Sequence, residues 1–564
     1  MHKFKILLIL CSIGIVNILE IIGIGIIPVY LYYILNIDII YSEFPEITHF
    51  LLNFTSMERL PFYVIIFIIL FFLFKNILML LIQVFQVFFW MNFRLILSKD
   101  IFSYYLNLSL VKFLKINPSM MMNNIITESA HSASVVRDGI ILINEIVFFI
   151  FLFLLISFTQ PIFIVICISA LLSITVVFYV SIKNIIKSKG DLGLSYRNKY
   201  IKFLNQGFGL FKETMIYQKK KYVIENFMDN VKADLKTSAF SKIISSIPRL
   251  FIEVISVSII LGTSYLFLKN NPDNIESFIP TITLFAISFI RVIPSINKIV
   301  VQLTRIKFFA TSSNNLNNII NKQLEYKDLF KKNNVTEINF NSLDIKNVSF
   351  NYSQSGKKIL TDINVSINKG DKVAIIGETG SGKSTLLNLM LGLLEYNEGK
   401  ILLNNKIDLK SNLKNWYSNL SFVPQEVYLF DGSIKENIIL KDDLDQEGYS
   451  NLIEVTKDSQ IDSFISNLEK SFETNVGDRG VEISGGQKQR IGIARALFHN
   501  NGVLCFDEAT SALDTKTEDL IVSKITSDEN TTFISVTHRV NTLKYFNKVI
   551  TVKDGRILSI IVNK

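Results

Sequence analysis

The residues of this sequence that could do chemistry begin with a glycine-rich stretch, GETGSGKST, from Gly377 to Thr385. Its spacing is that of a phosphate-binding loop, in which small residues let successive backbone N–H groups surround the β- and γ-phosphates of a nucleotide. In such a loop Lys383 adds a positive charge, and the Ser384 hydroxyl can ligate Mg²⁺. The alternative is a glycine-rich surface turn. The other residues of the candidate loop are Glu378, Thr379, Gly380, Ser381 and Gly382.

The sequence on either side of this loop places it between a strand and a helix. Lys372 to Ile376 (KVAII) is a short β-branched run typical of a buried strand, and Thr385 to Leu394 is apolar enough for a packed helix. A helix that begins at the loop directs the positive end of its dipole at a bound anion. The order of strand, loop and helix therefore favours binding of ATP with Mg²⁺ over a surface turn.

Further predicted strand ends carry side chains that could complete a site for ATP hydrolysis. Asp507 ends the apolar run VLCFD, where it can hold the water shell of Mg²⁺, and Glu508 can polarise an attacking water. Gln425 can reach the metal and the γ-phosphate, and His538 can hydrogen-bond the γ-phosphate. Tyr352 could stack on adenine. Taken singly, Gln425 and His538 could equally be ordinary surface or core residues, and Tyr352 could simply pack on a strand.

A second candidate anion site lies at Ser484 to Gln487 (SGGQ). Its glycines, Gly485 and Gly486, stand at a predicted helix start, where backbone N–H groups can bind an anion. This segment cannot serve the nucleotide in its own phosphate loop unless the chain folds back on itself. We therefore expect a second copy of the chain to complete the site.

Length and composition indicate a multidomain protein that is partly embedded in lipid. At 564 residues the chain is too long for one core, and 49% apolar against 19% charged residues is too apolar for a soluble enzyme of this size. The net charge of +9 could indicate a nucleic-acid partner, but the sequence lacks a basic and aromatic module for RNA or DNA. We expect no nucleic-acid partner, and we assign the excess lysine and arginine to the flanks of membrane segments.

The first 304 residues contain six apolar runs long enough to cross a bilayer. They are Ile6 to Leu35, Pro61 to Trp90, Gly139 to Phe158, Pro161 to Ile182, Ile247 to Leu268 and Phe278 to Val301. The two long connections are rich in lysine and arginine, which predicts that they and both termini are cytoplasmic. The helices are expected to extend into the cytosol and to turn at Lys115 to Asn123 and Asn205 to Lys212. Outside, Tyr41 to Leu60 is predicted to be a surface helix or a loop.

Three cations in these runs fall in one band of the predicted membrane. At 1.5 Å per residue, Lys75 and Arg291 lie about 20 Å and Arg249 about 28 Å from the outer ends of their helices. Charges at this depth should face a cavity or one another. They predict a cation-lined, anion-binding cavity; the alternatives are snorkelling at helix ends and, for Arg249 and Glu253, a local ion pair.

The predicted domains are a membrane domain over residues 1–304, a polar linker over 305–340 that is rich in asparagine and lysine, and a nucleotide-binding domain over 341–564. The motifs of the last domain resemble the ATP-binding cassette in order and spacing. They are GETGSGKST, the Gln425 loop, ISGGQ, VLCFDE, SALD (Ser511 to Asp514) and His538.

With six membrane helices ahead of the cassette, the whole chain is similar to a half-transporter of the exporter type. The resemblance implies an all-α domain of six transmembrane helices followed by an α/β P-loop ATPase domain. It also implies a homodimer with two ATP molecules between the phosphate loop of one subunit and Ser484 to Gln487 of the other, with Asp514 contributing. Cytosolic turns would dock on the ATPase domains. The family usually has leucine where this chain has Ile483.

The membrane half is most similar to bacterial lipid-linked oligosaccharide flippases of the protein N-glycosylation pathway. The matching stretches are SIPRLFIEV around Arg249, SFIRVIPSINKI around Arg291 and FFLFKNILML around Lys75. In that group, basic residues of the cavity are thought to meet the lipid pyrophosphate. Lys75 stands where the group has arginine, which keeps the charge but loses bidentate geometry. This resemblance implies a multi-pass protein of the bacterial inner membrane with a cytoplasmic ATPase domain.

The sequence therefore predicts an ATP-driven exporter or flippase. The expected catalytic residues are Glu508 as general base, Lys383 for charge stabilisation and His538, with Ser384, Gln425 and Asp507 at Mg²⁺. One rival function is export of peptides, drugs or other lipids. Another is a membrane-anchored regulator or channel gated by ATP, which a complete set of catalytic residues argues against.

Overall fold

The computed structural model describes residues 2–35, 60–159, 161–270, 275–331, 339–352, 358–441, 444–477 and 480–563. The chain divides into two compact units. The first consists of Met1–Asn107 and Ile116–Lys327, and the second of Leu108–Lys115 and Asp328–Lys564. The second unit thus takes in a short segment from within the first long connection between membrane runs.

The first unit is built from helices. In chain order, counting the one short helix that belongs to the second unit, they are α1 (His2–Leu35), α2 (Leu60–Leu106), α3 (Leu110–Lys115), α4 (Pro118–Asn123), α5 (Ser129–Thr159), α6 (Pro161–Gly209), α7 (Phe211–Ile216), α8 (Lys220–Asn270), α9 (Ile275–Phe308) and α10 (Ala310–Lys331). Helix α3 is the one in the second unit. One buried cluster joins α1, α5, α8 and α9 through Ile24, Phe148, Leu152, Ile252 and Ile296. These large apolar side chains pack against one another, and close packing of this kind holds helices together in lipid, where burial from water supplies no driving force.

Four stretches of described helix are long and apolar enough to cross a membrane: Leu8–Tyr32, Pro61–Leu106, Pro118–Leu155 and Ile282–Phe308. They correspond to the first, second, third and sixth predicted spans. The predicted fourth and fifth spans lie inside long helices, α6 and α8, whose side chains in these stretches are only partly described. The count of six transmembrane helices therefore stays a prediction.

The long helices continue well past the predicted spans, as expected, and the observed turns match the predicted segments only in part. Helix α2 runs on from Trp90 to Leu106, and the chain turns at residues 107–109. Most of the predicted turn from Lys115 to Asn123 is helical, because Asn117 caps α4 and Pro118 occupies its first position, where proline is favoured. The second predicted turn, Asn205 to Lys212, contains the break at Leu210 between α6 and α7, and a further turn follows α7 at residues 217–219.

The polar segment predicted to be a linker is largely helical. Helix α10 covers Ala310–Lys331, and Leu316 on it is buried. Apolar residues recur every three or four positions in LNNIINKQL, which is helical periodicity that the many asparagines conceal. Residues 332–338, at the end of the predicted linker, lie outside the described residues, as does the predicted surface segment from Tyr41 to residue 59.

The second unit contains two sheets. The strands are β1 (Ser342–Phe350), β2 (Leu360–Asn368), β3 (Lys372–Ile376), β4 (Glu398–Leu403), β5 (Ile407–Asp408), β6 (Leu420–Val423), β7 (Val503–Asp507), β8 (Thr532–Val536), β9 (Lys548–Lys553) and β10 (Arg556–Val562). A four-stranded antiparallel sheet has the order β2-β1-β4-β5, and a six-stranded sheet has the order β10-β9-β3-β8-β7-β6. In the second sheet β9, β3, β8, β7 and β6 are parallel, and β10 is antiparallel to β9.

Helices cover the parallel sheet, and the two sheets share a core. The helices are α11 (Lys383–Met390), α12 (Leu413–Tyr417), α13 (Ile434–Ile439), α14 (Gln446–Asp458), α15 (Asp462–Ser466), α16 (Gly485–Phe498) and α17 (Thr515–Ser527). Buried, mostly apolar residues fill β3, β7 and β8, as expected of parallel strands covered on both faces. Leu110 and Val111 of α3 pack against the same core.

Parallel strands put their carboxyl ends at one edge of a sheet. The loop after β3, the end of β7, the residues after β8 and the residues after β6 therefore all emerge at the same edge. These four positions are those of the phosphate loop, Asp507, His538 and Gln425. The topology alone brings the sequence-predicted site residues together.

Candidate functional site

The loop after β3 has the backbone shape of an anion cradle. Gly380 and Gly382 have φ of +82° and +105°, and Gly382 immediately precedes α11. At Gly377, with φ of +149°, a Cβ atom would lie 2.1 Å from the carbonyl oxygen of Val552. Only glycine fits there, because the loop passes directly against β9. The positive end of α11 then faces the space that the loop encloses.

Two polar groups of this loop fit a phosphate. Lys383 is buried and its Nζ donates to the carbonyl oxygens of Gly377 (3.2 Å) and Glu378 (2.9 Å), both in its own loop. The Ser381 hydroxyl oxygen is buried and has no hydrogen-bond partner among the described residues. A buried hydroxyl left unpaired is costly unless a ligand satisfies it. The lysine charge and this hydroxyl therefore suit a phosphate group bound in the loop.

The first helical turn and the end of β7 form a candidate Mg²⁺ site. Ser384 Oγ, on α11, donates to Asp507 Oδ1 at 2.9 Å. Burial raises the pKa of the Asp507 carboxyl, and the Ser384 hydrogen bond and the Lys383 charge oppose that rise. A desolvated carboxylate beside a hydroxyl is an oxygen donor set of the kind that Mg²⁺ takes together with phosphate oxygens. Both residues thus fit the metal role that the sequence predicted for them.

Glu508 is held between two side chains from different strand ends. Its Oε2 accepts a hydrogen bond from Gln425 Nε2 at 3.0 Å, and its Oε1 lies 2.9 Å from His538 Nε2. The backbone of Glu508 is left-handed, with φ of +49°, and its N–H donates to Val536 O. A non-glycine residue in this region is strained, and such strain is characteristic of functional positions. The carboxylate is thereby fixed beside the candidate metal site.

The second anion site, Ser484 to Gln487, is at the start of α16. Ser484 Oγ accepts from Gln487 N–H at 3.3 Å, and Gln487 Oε1 accepts from Ser484 N–H at 2.7 Å, which is a capping box. Gly485 and Gly486 lie against Ala512 and Leu513. Among the described residues, no recorded contact of this segment is with the phosphate loop. Its exposed helix start remains open toward solvent.

Three residues that sequence reasoning missed hold the segment between Glu508 and Asp514. Arg539 donates to the carbonyl oxygens of Ser511 (3.1 Å) and Leu513 (2.8 Å). Its other terminal nitrogen lies 2.6 Å from the buried carboxylate of Glu518. The side-chain amide of Gln489 both donates to Ser511 Oγ and accepts from Ala512 N–H. The adjacency of Arg539 to His538 is the only sequence signal that could have found this network.

Asp514 and Tyr352 complete the list of predicted nucleotide contacts. Asp514 caps α17, and its Oδ2 accepts from Thr517 N–H at 3.0 Å. Hydrogen bonds from Thr517 lower the pKa of Asp514, which keeps this exposed carboxyl ionised. Tyr352 is exposed and stands edge-on to Phe350, with 4.9 Å between ring centroids. Its contact with adenine stays a prediction.

The cations predicted for the membrane cavity have different surroundings. Arg291 Nε and a terminal nitrogen lie 3.1 and 2.6 Å from Glu20 Oε2, and Lys75 is within electrostatic range of both residues. Arg249 is exposed, and among the described residues it does not form the local ion pair with Glu253. The structure brings Lys75 and Arg291 together and leaves Arg249 apart.

The cavity at Arg291 is nearly balanced in charge. It has a volume of about 310 Å³ and includes Glu20, Glu145 and Lys298 in its lining. Lys298 Nζ lies 3.0 Å from Glu145 Oε1, so each of these cations has its own carboxylate. Of the three cations that the sequence analysis counted, Arg291 has a recorded carboxylate partner, Glu20, which agrees with the expectation that charges at this depth face a cavity or one another.

Comparison with known proteins agrees with this geometry. Residues 360–511 match the ABC transporter family. Over 100% of its length the chain superposes on 95% of a solved structure described as "Structure of a bacterial Atm1-family ABC exporter with ATP bound", with a TM-score of 0.75 and 18% identity. The chain has the fold of an ABC exporter. Its helical unit corresponds to the membrane domain of that fold and its second unit to the α/β ATPase domain.

The sequence similarity to curated relatives covers only part of the chain. "Putative multidrug export ATP-binding/permease protein" is the description of relatives from Staphylococcus aureus strains COL and MW2. Each is 40% identical over 229 residues, which is 39% of this chain. The chain spans about 38% of the length of these relatives. The similarity therefore bears on the ATPase domain and leaves the substrate of the helical unit open.

Proposed function

We propose that this protein is a membrane exporter that couples ATP hydrolysis to translocation of an amphipathic substrate. The observation that carries the proposal is the fixed position of Glu508, which Gln425 and His538 hold. Glu508 directly follows Asp507, which pairs with Ser384 at the candidate metal site. The same chain also has apolar helices long enough to cross a membrane. A binding module would need the phosphate loop alone. A carboxylate clamped next to the metal site suits hydrolysis.

The residues divide the chemistry of ATP hydrolysis among them. Lys383 and the N–H groups of its loop bind the phosphates and offset the charge that develops during transfer. Glu508 accepts a proton from the attacking water, and Gln425 and His538 orient its two oxygens. Mg²⁺, held by Ser384, Asp507 and Gln425, would neutralise the β- and γ-phosphate oxygens. Electrostatic stabilisation of this kind supplies most of the rate acceleration in phosphoryl transfer.

We further propose that the working form is a homodimer. The exposed start of α16 at Ser484 to Gln487 supports this, because none of its recorded contacts among the described residues is with its own phosphate loop. The two cytosolic turns also differ. Helix α3 packs within the ATPase unit, whereas Phe208, Phe211 and Ile216 at the second turn are more than half exposed. Exposed apolar side chains of this size call for a partner surface.

The proposed location is the bacterial inner membrane, with the ATPase domain in the cytoplasm. Lysine and arginine are concentrated in the two long connections, which supports the cytoplasmic side for these segments. None of the most apolar part of α2 is buried within the unit. Such a surface is stable when lipid or another membrane helix covers it.

Two substrate classes compete. The resemblance around Arg249, Arg291 and Lys75 favours a lipid-linked oligosaccharide, whereas the descriptions of the Staphylococcus aureus relatives favour drug-like molecules. The pairing of Arg291 with Glu20 argues against the lipid-linked oligosaccharide, because a guanidinium already bound to a carboxylate has fewer donors for a pyrophosphate. We keep the lipid-linked oligosaccharide as the specific hypothesis and multidrug export as its alternative.

Transport into sealed vesicles tests the proposal. Purified protein would be reconstituted into proteoliposomes with either a fluorescent polyprenyl-pyrophosphate oligosaccharide or an apolar cationic dye. We expect ATP-dependent translocation of one of them and none with Glu508→Gln. If ATP binding without hydrolysis let both ligands move down their gradients, the protein would instead be a gated channel. Hydrolysis that neither substrate stimulates, with no translocation, would contradict the exporter proposal.

A further inference from the structure

A second cavity of the helical unit is lined by none of the residues that line the cavity at Arg291. It has a volume of about 950 Å³ and is lined by residues of α2, α5, α8 and α9. Four of its lining residues carry permanent positive charge, and among the residues recorded in its wall none is acidic. They are Arg94, Arg137, Lys242 and Arg305. This volume is at the upper end of the range for pockets that bind drug-sized ligands.

A single buried carboxylate fixes two of these cations at the wall. Asp138, which has no exposed surface, accepts from Arg137 Nε and a terminal nitrogen at 3.1 and 3.0 Å. Arg305 Nε lies 2.9 Å from its other oxygen. The two terminal nitrogens of Arg305 have no recorded partner among the described residues. Asp138 therefore neutralises one charge of the pair and orients Arg137 through two hydrogen bonds, whereas its contact with Arg305 is an ion pair without hydrogen-bond geometry.

The other two cations have no carboxylate in the described structure. Arg94 donates to the carbonyl oxygen of Ile126 at 3.3 Å, and Lys242 is exposed with no recorded ion pair. Together the four side chains and Asp138 leave an excess of three positive charges around the cavity. That excess contrasts with the balanced cavity at Arg291 and suits an anionic ligand.

The rest of the wall suits a ligand with an apolar part. Trp90 and Phe308 contribute aromatic surface, and the His131 ring stacks on Phe309 with centroids 4.1 Å apart. One face of α8 contributes hydroxyl groups to the wall; they belong to Ser238, Ser241 and Ser245. A wall with cations, hydroxyls and aromatic rings matches an amphiphile that carries an anionic head.

The depth of the cations matches the headgroup layer of a bilayer. Arg94 and Arg305 each lie four residues beyond the predicted ends of their spans at Trp90 and Val301, or about 6 Å along the helix. Arg137 and Lys242 lie about 3 and 8 Å before the starts of theirs. The polar layer on each side of the hydrocarbon core is roughly 5–8 Å thick. All four cations thus fall at the level of lipid phosphates on the cytoplasmic side.

We propose that this cavity binds a phosphate-bearing amphiphile at the cytoplasmic headgroup layer, through Arg94, Arg137, Lys242 and Arg305. The phosphate could come from a membrane lipid or from a soluble phosphate ester. The inference rests on the proposed membrane arrangement of the helices, and it does not depend on transport or ATP hydrolysis.

The intrinsic fluorescence of Trp90 can report binding in this cavity. It has two tryptophans; Trp90 lines the cavity, and Trp416 is buried in the ATPase unit with its Nε1 bonded to Met390 O at 2.9 Å. Full-length protein in nanodiscs of neutral phosphatidylcholine, without nucleotide, would be titrated with phosphatidic acid brominated in its acyl chains. Bromine quenches only nearby tryptophan, so Trp416 provides a constant background.

We expect quenching of Trp90 at a mole fraction of brominated phosphatidic acid well below that of brominated phosphatidylcholine. Lys242→Gln should raise the half-quenching mole fraction about tenfold, as expected for loss of one charge-assisted contact. Lys236→Gln is the matched control, because Lys236 is exposed on the same helix and is not part of the cavity wall. Arg94→Gln supplies a second variant that leaves the Asp138 cluster intact.

A competition arm separates the two sources of phosphate. Relief of quenching by millimolar glycerol phosphate would assign the site to soluble phosphate esters, and its absence alongside selective quenching would assign it to lipid. Equal quenching by anionic and neutral brominated lipids would overturn the proposal, and so would equal shifts in Lys242→Gln and Lys236→Gln. If selective quenching is absent but ATP-driven transport is intact, the cavity proposal is wrong and the proposed function is unaffected.

Discussion

Arg539→Ala should destabilise the ATPase unit more than a typical substitution near the surface does. Arg539 is one-third exposed, with 32% of its side-chain surface accessible, whereas its partner Glu518 is 1% exposed. Removing the arginine leaves the buried carboxylate with one remaining hydrogen bond, from Thr510 Oγ1 at 2.6 Å. Breaking a fully buried pair costs about 3–5 kcal/mol, so a value of about 3 kcal/mol suits this partly exposed one.

Thermal unfolding of the full-length protein measures this cost. About 3 kcal/mol corresponds to a fall of roughly 6–12 °C in Tm for a unit of this size. Trp416 is buried in the ATPase unit, so its fluorescence reports the relevant transition. The double variant Arg539→Ala/Glu518→Gln removes the stranded charge and should recover about half of the loss. Its ATPase rate should stay low, because Ser511 and Leu513 are still released.

An exposed ion pair of the same unit provides the matched control. Lys524 lies 3.5 Å from Asp458 and is 55% exposed, and exposed pairs contribute about 0–1 kcal/mol. Lys524→Ala should therefore lower Tm by at most about 4 °C. If Arg539→Ala and Lys524→Ala unfold at the same temperature, the network around Glu518 does not have the structural role assigned to it.

Three further predictions concern the two candidate sites. Glu508→Gln should reduce ATP turnover by about 10²- to 10⁴-fold, the usual contribution of a general base, while equilibrium binding of labelled ATP survives; normal turnover would remove the role. Gly377→Ala should abolish ATP binding measured by the same assay, because its Cβ would meet Val552 O, and unchanged affinity would refute the cradle. Alanine variants of the three predicted membrane cations should impair flipping of a pyrophosphate lipid more than basal ATPase, and equal loss of both would indicate misfolding; they are Lys75, Arg249 and Arg291.

Much of the ATPase unit could be predicted from local sequence. The spacing of GETGSGKST and its position after KVAII specify a loop between a strand and a helix, and the structure places β3, the loop and α11 in that order. VLCFD is short, apolar and ends in a carboxylate, which suffices to place Asp507 and Glu508 at a strand end. Parallel strands then bring Gln425 and His538 to the same edge without further information.

The features that sequence reasoning missed depend on contacts between distant segments. Arg539 and Glu518 acquire their roles only when α17 packs beside the end of β8, and neither residue type nor spacing reveals that. The neutralisation of Arg291 by Glu20 joins residues at opposite ends of the helical unit. Helix α10 was missed because asparagine-rich composition outweighed the periodicity of its few apolar residues.

The central claim is that ATP hydrolysis at a site shared by two copies drives movement of the membrane helices. It is tested most directly by measuring ATPase activity in nanodiscs that contain one copy or two copies of the chain, sorted by mass. The account predicts turnover in discs with two copies and at most residual hydrolysis in discs with one. Full turnover in the single-copy discs would contradict it.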